Sequence, residues 1–367
     1  MGAFLASGLL LLGACERGAP PPPPRFTIAA LLGEQGAGGF ARATAVRPFR
    51  FPADHGPHPG FRSEWWYLTG NLRGADGREY GFQATFFRFA LAPGPVTGDS
   101  AWRGNQVWMA HAALSDPAQG EHLADERFSR EGPGLAGARA GPFRVWLDDW
   151  RLGADGMEGE WRLQLPARGF TLDLRLRPAS PVVLQGDRGL SRKGAAPGNA
   201  SYYYSIPRLQ VEGRIRQGER GITVTGLAWL DREWSSSALE PQQAGWDWFS
   251  LQLRDGRNLM FYRLRRRGGG TDPHSGGSLS DGDGLIRRLG PDQVRLTPLA
   301  RWRGYPVEWR LQLAGEPHGW RIRPLLRDQE MRLSIRYWEG AVEVIDEVDG
   351  TPLGRGYLEL TGYRPSR

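Results

Sequence analysis

The string EWRLQL occurs twice in this chain, at Glu160–Leu165 and at Glu308–Leu313, and each copy is followed by a glycine and an aromatic residue, Gly169-Phe170 and Gly319-Trp320. A second matched pair precedes each copy. Around Trp65 to Arg78 the chain reads Trp65, Tyr67, Leu72-Arg73, Asp76-Gly77-Arg78; around Trp246 to Arg257 it reads Trp246, Trp248, Leu253-Arg254, Asp255-Gly256-Arg257. Both read as strand, Asp-Gly turn, strand, with aromatics at alternate positions and therefore on one face. Two hairpins recurring in the same order point to a duplicated unit. From Phe51 onward, short alternating apolar and polar runs are broken by Asp-Gly, Gly-Asp and Pro-Gly pairs, the pattern of antiparallel strands and tight hairpins. Helix signals are scarce.

An up-and-down unit of about 130 to 180 residues removes its exposed strand edges by closing on itself. The expected fold class is therefore all-β, with two tandem antiparallel β-barrels, and 367 residues suit two cores. The expected organisation is a signal and Pro-rich tether over residues 1–24, a linker over 25–50, a first domain over 51–236 and a second over 237–367. The glycine-rich stretch Gly268 to Gly284 shows no periodic apolar pattern and reads as a mobile loop.

Residues 2–14 are small and apolar, ending Leu12-Gly13-Ala14 before Cys15, the only cysteine. This is the pattern of a bacterial lipoprotein signal with Cys15 as the lipidated residue, followed by prolines to Pro24 as a stiff spacer. The expectation is an exported protein facing the periplasm, held at a membrane, most naturally the outer one, by its lipid, with a membrane-transport machine as a conceivable partner. The lone cysteine excludes an intrachain disulfide and a cysteine-based zinc site. The net charge is +7, with Lys193 the sole lysine. The arginines alternate with apolar residues rather than forming a basic stripe, which argues against nucleic acid as a partner. The six histidines lack metal-ligand spacing, no Gly-x-Ser-x-Gly elbow occurs, and Gly268-Gly269-Gly270 precedes no helix signal. No metal and no cofactor is expected.

Aromatic and acidic residues cluster instead. The groups are Glu64, Trp65, Trp66 and Tyr67; Phe87 with Trp108 and His111 on the strands that follow; Tyr202-Tyr203-Tyr204; and Trp229 to Trp234, with Trp246 and Trp248 beyond. Glu64, Asp231, Glu233 and Asp247 are each flanked by tryptophan. Burial among rings keeps a carboxyl protonated near neutrality, as needed to protonate an alkene carbon, and ring faces stabilise the resulting cation. The candidate acid is Asp231 or Glu233, with Tyr262 or His111 orienting water. Glu64, Trp65, Trp66, Tyr67, Phe87, Trp108, Tyr203, Trp234, Trp246 and Trp248 are candidate ligand-binding residues. Alternating rings are also what fills a barrel interior, and a carboxylate beside Arg232 or Arg62 can be a paired charge closing a barrel end.

The segments HPGFRSEWWYLTGNL, GFQATFFR, WMAHAALSD, YYYSIPRL, GLAWLDREWSS, GWDWFSLQLRDG, YWEGAVEV and GYLELTGY, in this order over nearly all of residues 55 to 363, resemble the carotenoid 1,2-hydratase and AttH-type secreted hydrolase-like family. The resemblance implies a pair of lipocalin-like barrels with a tunnel near their junction, and in the hydratase branch an acidic site that adds water to an isoprenoid double bond, with Trp234 at a matching aromatic position. Three functions stand as expectations: a carrier binding a long hydrophobic lipid or isoprenoid, a hydro-lyase working without cofactor, and, from the lipid anchor and spacer alone, an accessory component of a membrane-transport machine.

Overall fold

The computed structural model describes residues 38–363 apart from 96, 99, 101, 102, 157, 158 and 238. The expected tether over residues 1–24, with Cys15, lies outside the described residues. The described strands form two antiparallel sheets, of 13 and 10 strands. The first holds β1 (Ser63–Gly74), β2 (Glu79–Ala90), β3 (Gln106–Asp116), β4 (Glu121–Arg130), β5 (Ala136–Ala140), β6 (Phe143–Leu147), β7 (Trp150–Ala154), β8 (Trp161–Ala167), β9 (Phe170–Pro178), β10 (Val183–Leu184), β11 (Leu190–Arg192), β12 (Ala200–Gln217) and β13 (Arg220–Ser235). The second holds β14 (Gln243–Leu253), β15 (Asn258–Arg266), β16 (Gly276–Asp281), β17 (Gly284–Leu289), β18 (Val294–Trp302), β19 (Tyr305–Leu313), β20 (Trp320–Pro324), β21 (Glu330–Arg332), β22 (Arg336–Asp346) and β23 (Pro352–Leu360).

The duplication is visible strand by strand. The first sheet runs β4-β3-β2-β1-β13-β12-β9-β8-β7-β6-β5 and the second β17-β16-β15-β14-β23-β22-β20-β19-β18, so the second repeats the first order without a counterpart for the terminal β6-β5 hairpin, and carries one short side strand (β21 on β22) where the first carries two (β10 and β11 on β12). The two Asp-Gly turns match bond for bond. Gly77 and Gly256 sit at φ +79° and +94°, where a side chain is strained. Asp76 Oδ1 accepts from Arg78 N at 3.0 Å, and Asp255 Oδ1 from Arg257 N at 2.9 Å. The EWRLQL copies lie on β8 and β19, each burying its Trp and both Leu. Both sheets curl into barrels in the same way. In the first, Arg127 on β4 reaches Pro166 O at 3.1 Å across the opening; in the second, Arg287 on β17 reaches Ala314 O at 2.5 Å.

Alternation sorts side chains into three layers rather than two. Trp66, Leu68, Phe82, Phe86, Trp108, Ala110, Leu230 and Trp234 point into the first barrel, and Phe249, Leu251, Phe261, Trp309, Trp338 and Leu358 into the second. The intervening positions of β1–β3, β12 and β13 face β14, β15, β22 and β23 of the other barrel, where Tyr67, Tyr203, Trp248, Met260, Tyr262, Ala341 and Tyr357 form a third apolar cluster. The approach is close. A Cβ on Gly81 would lie 2.5 Å from that of Ala341, and Asn71 Nδ2 donates to Gly356 O at 3.0 Å across the junction.

Of the linker expected over residues 25–50, residues 25–37 lie outside the described residues, and residues 38–50 pack onto the first barrel. Phe40 and Ala43 are buried, Ser236 Oγ donates to Ala41 O at 2.6 Å, and Tyr202 Oη donates to Ala45 O at 2.8 Å. This segment crosses the barrel as a strap, and a strap carries no strand periodicity to read. The stretch Gly268 to Gly284 is likewise not a loop throughout, because it supplies β16 with Leu279 buried. Gly277 is needed there, since a Cβ would meet Met260 O at 2.0 Å.

The strap closes one end of the first barrel over a buried ion network. Glu64 is ion-paired with both Arg88 and Arg232, all three fully buried, and accepts from His58 N at 3.0 Å. Burial alone would raise the Glu64 carboxyl, but the two guanidinium groups overcome it and hold the group well below the usual carboxylate range. The Arg232 guanidinium also lies 3.8 Å from the Trp66 ring centroid, and His58 stacks on Trp234 at 3.7 Å. Removing one partner of such a network strands the others. Glu64→Gln should therefore lose about 3 to 5 kcal/mol of unfolding free energy, read by thermal and urea melts; a loss below about 1 kcal/mol would show the network to be idle.

Candidate functional site

The junction of the barrels is not filled. A cavity of about 110 Å³ lies between their outer faces, smaller than the few hundred cubic ångströms usual for a site enclosing a whole drug-sized ligand. Its half-buried rings are Trp65, Phe87, Phe89 and Trp246, and its deeper apolar wall includes Met109, Leu264, Ile335 and Trp248. Four carboxyls, Asp231, Glu233, Glu339 and Glu359, face it together with Lys193, His111 and the tyrosines Tyr67, Tyr203, Tyr262 and Tyr337.

Period two explains this assembly. Asp231 and Glu233 occupy alternate positions of β13 and so share the outer face, opposite Ser205 and Tyr203 of β12. Glu339 on β22 is directly across from Glu359 on β23, which in turn opposes Trp248 on β14. Each barrel thus supplies two carboxyls to one hollow.

The four carboxyls differ in their partners. Asp231 accepts from Tyr203 Oη, from Ser205 Oγ at 2.6 Å and from Trp229 Nε1 at 2.7 Å. Burial nonetheless dominates, and with the neighbouring Glu233 it pushes Asp231 up to about 7. Glu233 is held by Ser201 Oγ and by the Lys193 ammonium at 3.2 Å. Burial opposes charge on Lys193, yet the Glu233 carboxylate raises it above the ordinary lysine value. Glu359 is enclosed by protein, its residual accessible surface opening into the cavity; burial, aided by Asp231 and Glu233, raises it to about 8. Glu339 is buried with no hydrogen bond closed on either oxygen, although the Tyr67 and Tyr337 hydroxyls are turned toward it. Burial and the Glu359 charge push it well above the usual carboxylate range, which favours its neutral form. His111 is also neutral, lowered by burial to about 3, with Nδ1 2.8 Å from the Tyr337 hydroxyl.

Of the residues picked from sequence, Asp231, Glu233, Tyr262, His111, Trp65, Tyr67, Phe87, Tyr203, Trp246 and Trp248 line this cavity. Glu64, Trp66, Trp108 and Trp234 do not, and their assignment to ligand binding is corrected. They lie on the opposite faces of the same strands, inside the first barrel. Sequence neighbours on a strand point apart, so Trp65 reaches the junction and Trp66 the barrel core. Asp247 is likewise inside the second barrel, paired with Arg263 and Arg265.

Sequence reasoning missed Glu339, Glu359, Lys193 and Tyr337. The signal for the glutamates was present in YWEGAVEV and GYLELTGY, where each carboxylate interrupts an otherwise apolar or aromatic strand. Among the described residues, no group of three His, Cys, Asp or Glu side chains is placed to hold a metal ion.

Comparison with known proteins agrees with this architecture. The AttH-like family matches residues 42–363. Among solved structures, an AttH-type protein of Nitrosomonas europaea is 44% identical, with 89% of this chain and 100% of that one covered and a TM-score of 0.78. Kievitone hydratase from Nectria haematococca is 15% identical over 91% of this chain and 99% of its own, with a TM-score of 0.65. CghA, solved with Sch210972, is 16% identical over 90% and 98%, with a TM-score of 0.54. The last two share the fold. No curated protein matches the sequence. With a family match over most of its length and a 44% identical structure covered end to end, the chain belongs to the AttH-like family.

Proposed function

We propose that this protein binds a hydrophobic, unsaturated molecule between its barrels and adds water across the double bond by acid catalysis. The observation that carries the reading is Glu339: a carboxyl enclosed between the barrels, pushed well above the usual range by burial, facing an apolar hollow with the Tyr67 and Tyr337 hydroxyls turned toward it. Asp231 and Glu233 are less suited to be the acid, because each already accepts hydrogen bonds from fixed donors and Glu233 is paired with Lys193.

In this mechanism the Glu339 proton bonds to one alkene carbon and the pair of π electrons forms that C–H bond, leaving a cation on the other carbon. The faces of Trp65, Trp246 and Trp248 stabilise the charge. A water oxygen bonds to the cationic carbon and gives its proton to the Asp231 carboxylate. Glu359, which interacts electrostatically with both Glu339 and Asp231, relays that proton back to Glu339. The net change is addition of one water, with no cofactor required. The kievitone hydratase among the fold relatives is in keeping with this reading. The apolar wall of Phe87, Phe89, Met109 and Ile335 also favours a second reading, in which a lipid or isoprenoid is carried without turnover.

We also propose that the chain is an exported lipoprotein held by acylated Cys15 on the periplasmic side, most naturally at the outer membrane, where a transport machine could hand it its ligand.

Three outcomes follow. Limonene and carvone, which share an isopropenyl double bond, should give oxygen-18 alcohols in labelled water, and Glu339→Gln should lower the rate about 100-fold or more while leaving quenching of tryptophan fluorescence by either probe in place. Binding without labelled product would favour the carrier. The rate should peak between about 7 and about 8, falling below as Asp231 protonates and above as Glu359 ionises; a rate rising steadily toward alkaline pH would contradict the assignment. Cys15→Ala should move the protein from the membrane fraction to the soluble periplasmic fraction, and an unchanged distribution would remove the anchor.

A further inference from the structure

Lys193 is the sole lysine among 47 lysines and arginines, and it stands in the loop after β11 with its ammonium in the cavity. Every other fixed cation of this chain is a guanidinium. The exception is 7% exposed, lies 4.0 Å from the Tyr262 ring centroid and 5.0 Å from that of Tyr203, and has Glu233 as its one anionic partner among the described residues. An ammonium carries three donor hydrogens, and one carboxylate oxygen at 3.2 Å engages one of them. Arginine in its place would extend a planar fork across the hollow and could hold Glu233 through two parallel bonds. Lysine leaves a compact charge at the cavity wall, with donors beyond the one that Glu233 engages. The carboxyl-rich site is also uneven: Lys193 and Glu233 make one wall ionic, whereas Glu339 beside Ile335 and Tyr337 makes another neutral.

We propose that Lys193 is the substrate-orienting residue of this cavity and that its ammonium donates to an oxygen acceptor on the ligand, so that the substrate is an oxygenated hydrophobic molecule rather than a pure hydrocarbon. A carbonyl or phenolic oxygen seated on Lys193, on the Tyr262 ring, leaves the apolar remainder of the molecule to reach toward Glu339. The oxygen also explains why an enclosed, largely apolar site retains an ion pair, since burying two charges is costly unless their remaining donors are used. This inference rests on the cavity being the ligand site proposed above and adds which chemistry it accepts.

A single lysine makes the test direct. Protein labelled with carbon-13 at the lysine ε position gives one lysine resonance, that of Lys193. Carvone and limonene are matched ten-carbon probes differing by a ketone oxygen, and their binding is followed by quenching of the cavity tryptophans. Carvone is expected to bind at least tenfold more tightly than limonene and to shift the Lys193 resonance, which limonene leaves in place. The preference should vanish in Lys193→Met, survive in part in Lys193→Arg, and vanish equally in the charge-neutral pair Lys193→Met with Glu233→Gln, which guards against misfolding from a stranded carboxylate. Equal affinity for the two probes with a stationary resonance would overturn the role of Lys193 while leaving the cavity as a binding site. Tryptophan emission unmoved by either probe would overturn the cavity itself, and with it both readings.

Discussion

The structure depends on one packing constraint: each barrel uses the outer face of its longest strands to bury a second apolar surface against the other barrel. An isolated barrel needs only its inward positions to be apolar, and its outward ones can be polar. Here the outward positions of β1 to β3, β12 and β13 carry Tyr67, Met109, Tyr203 and Trp229, and those of β14, β15, β22 and β23 carry Trp248, Met260, Tyr262, Ala341 and Tyr357. Those strands are buried on both faces, and the docking of two curled sheets defines the cavity. Neither barrel interior supplies the site, because both are packed with large rings such as Trp66, Trp108, Trp309 and Trp338.

The same constraint explains the electrostatics. A carboxyl on an outward position of a solitary barrel would meet water and titrate in the ordinary range. Covered by the second barrel, Asp231, Glu339 and Glu359 lose that solvent, and their neutral forms gain. The buried Glu64 inside the first barrel goes the opposite way because Arg88 and Arg232 sit on it. Two kinds of buried acid therefore coexist on neighbouring strands. Carboxylates paired with arginine close a barrel end, and acids with no arginine partner among the described residues face a hollow.

This division was partly legible in the sequence. The repeated EWRLQL and Asp-Gly hairpins carried the duplication, and alternation carried the strands. Alternation does not say which of two apolar faces is a core and which a junction when both are buried, so Trp65 and Trp66 were read alike although they point apart. Glu64 and Glu233 look equivalent beside tryptophan, and only the third dimension brings Arg88 to one and Lys193 to the other. Glu339 and Glu359 became site residues through pairing between β22 and β23 and docking against the first barrel, both long-range events. The strap before Phe51 was silent because its packing follows no repeat.

The central claim is that Glu339 is a protonated carboxyl at neutral pH, set in the apolar hollow between the barrels. Infrared difference spectroscopy of the wild-type protein against Glu339→Gln reads this directly through the carbonyl stretch of a protonated carboxylic acid. The account predicts such a band at neutral pH in the wild type, missing from the variant. A difference spectrum showing instead only the paired stretches of an ionised carboxylate would contradict it.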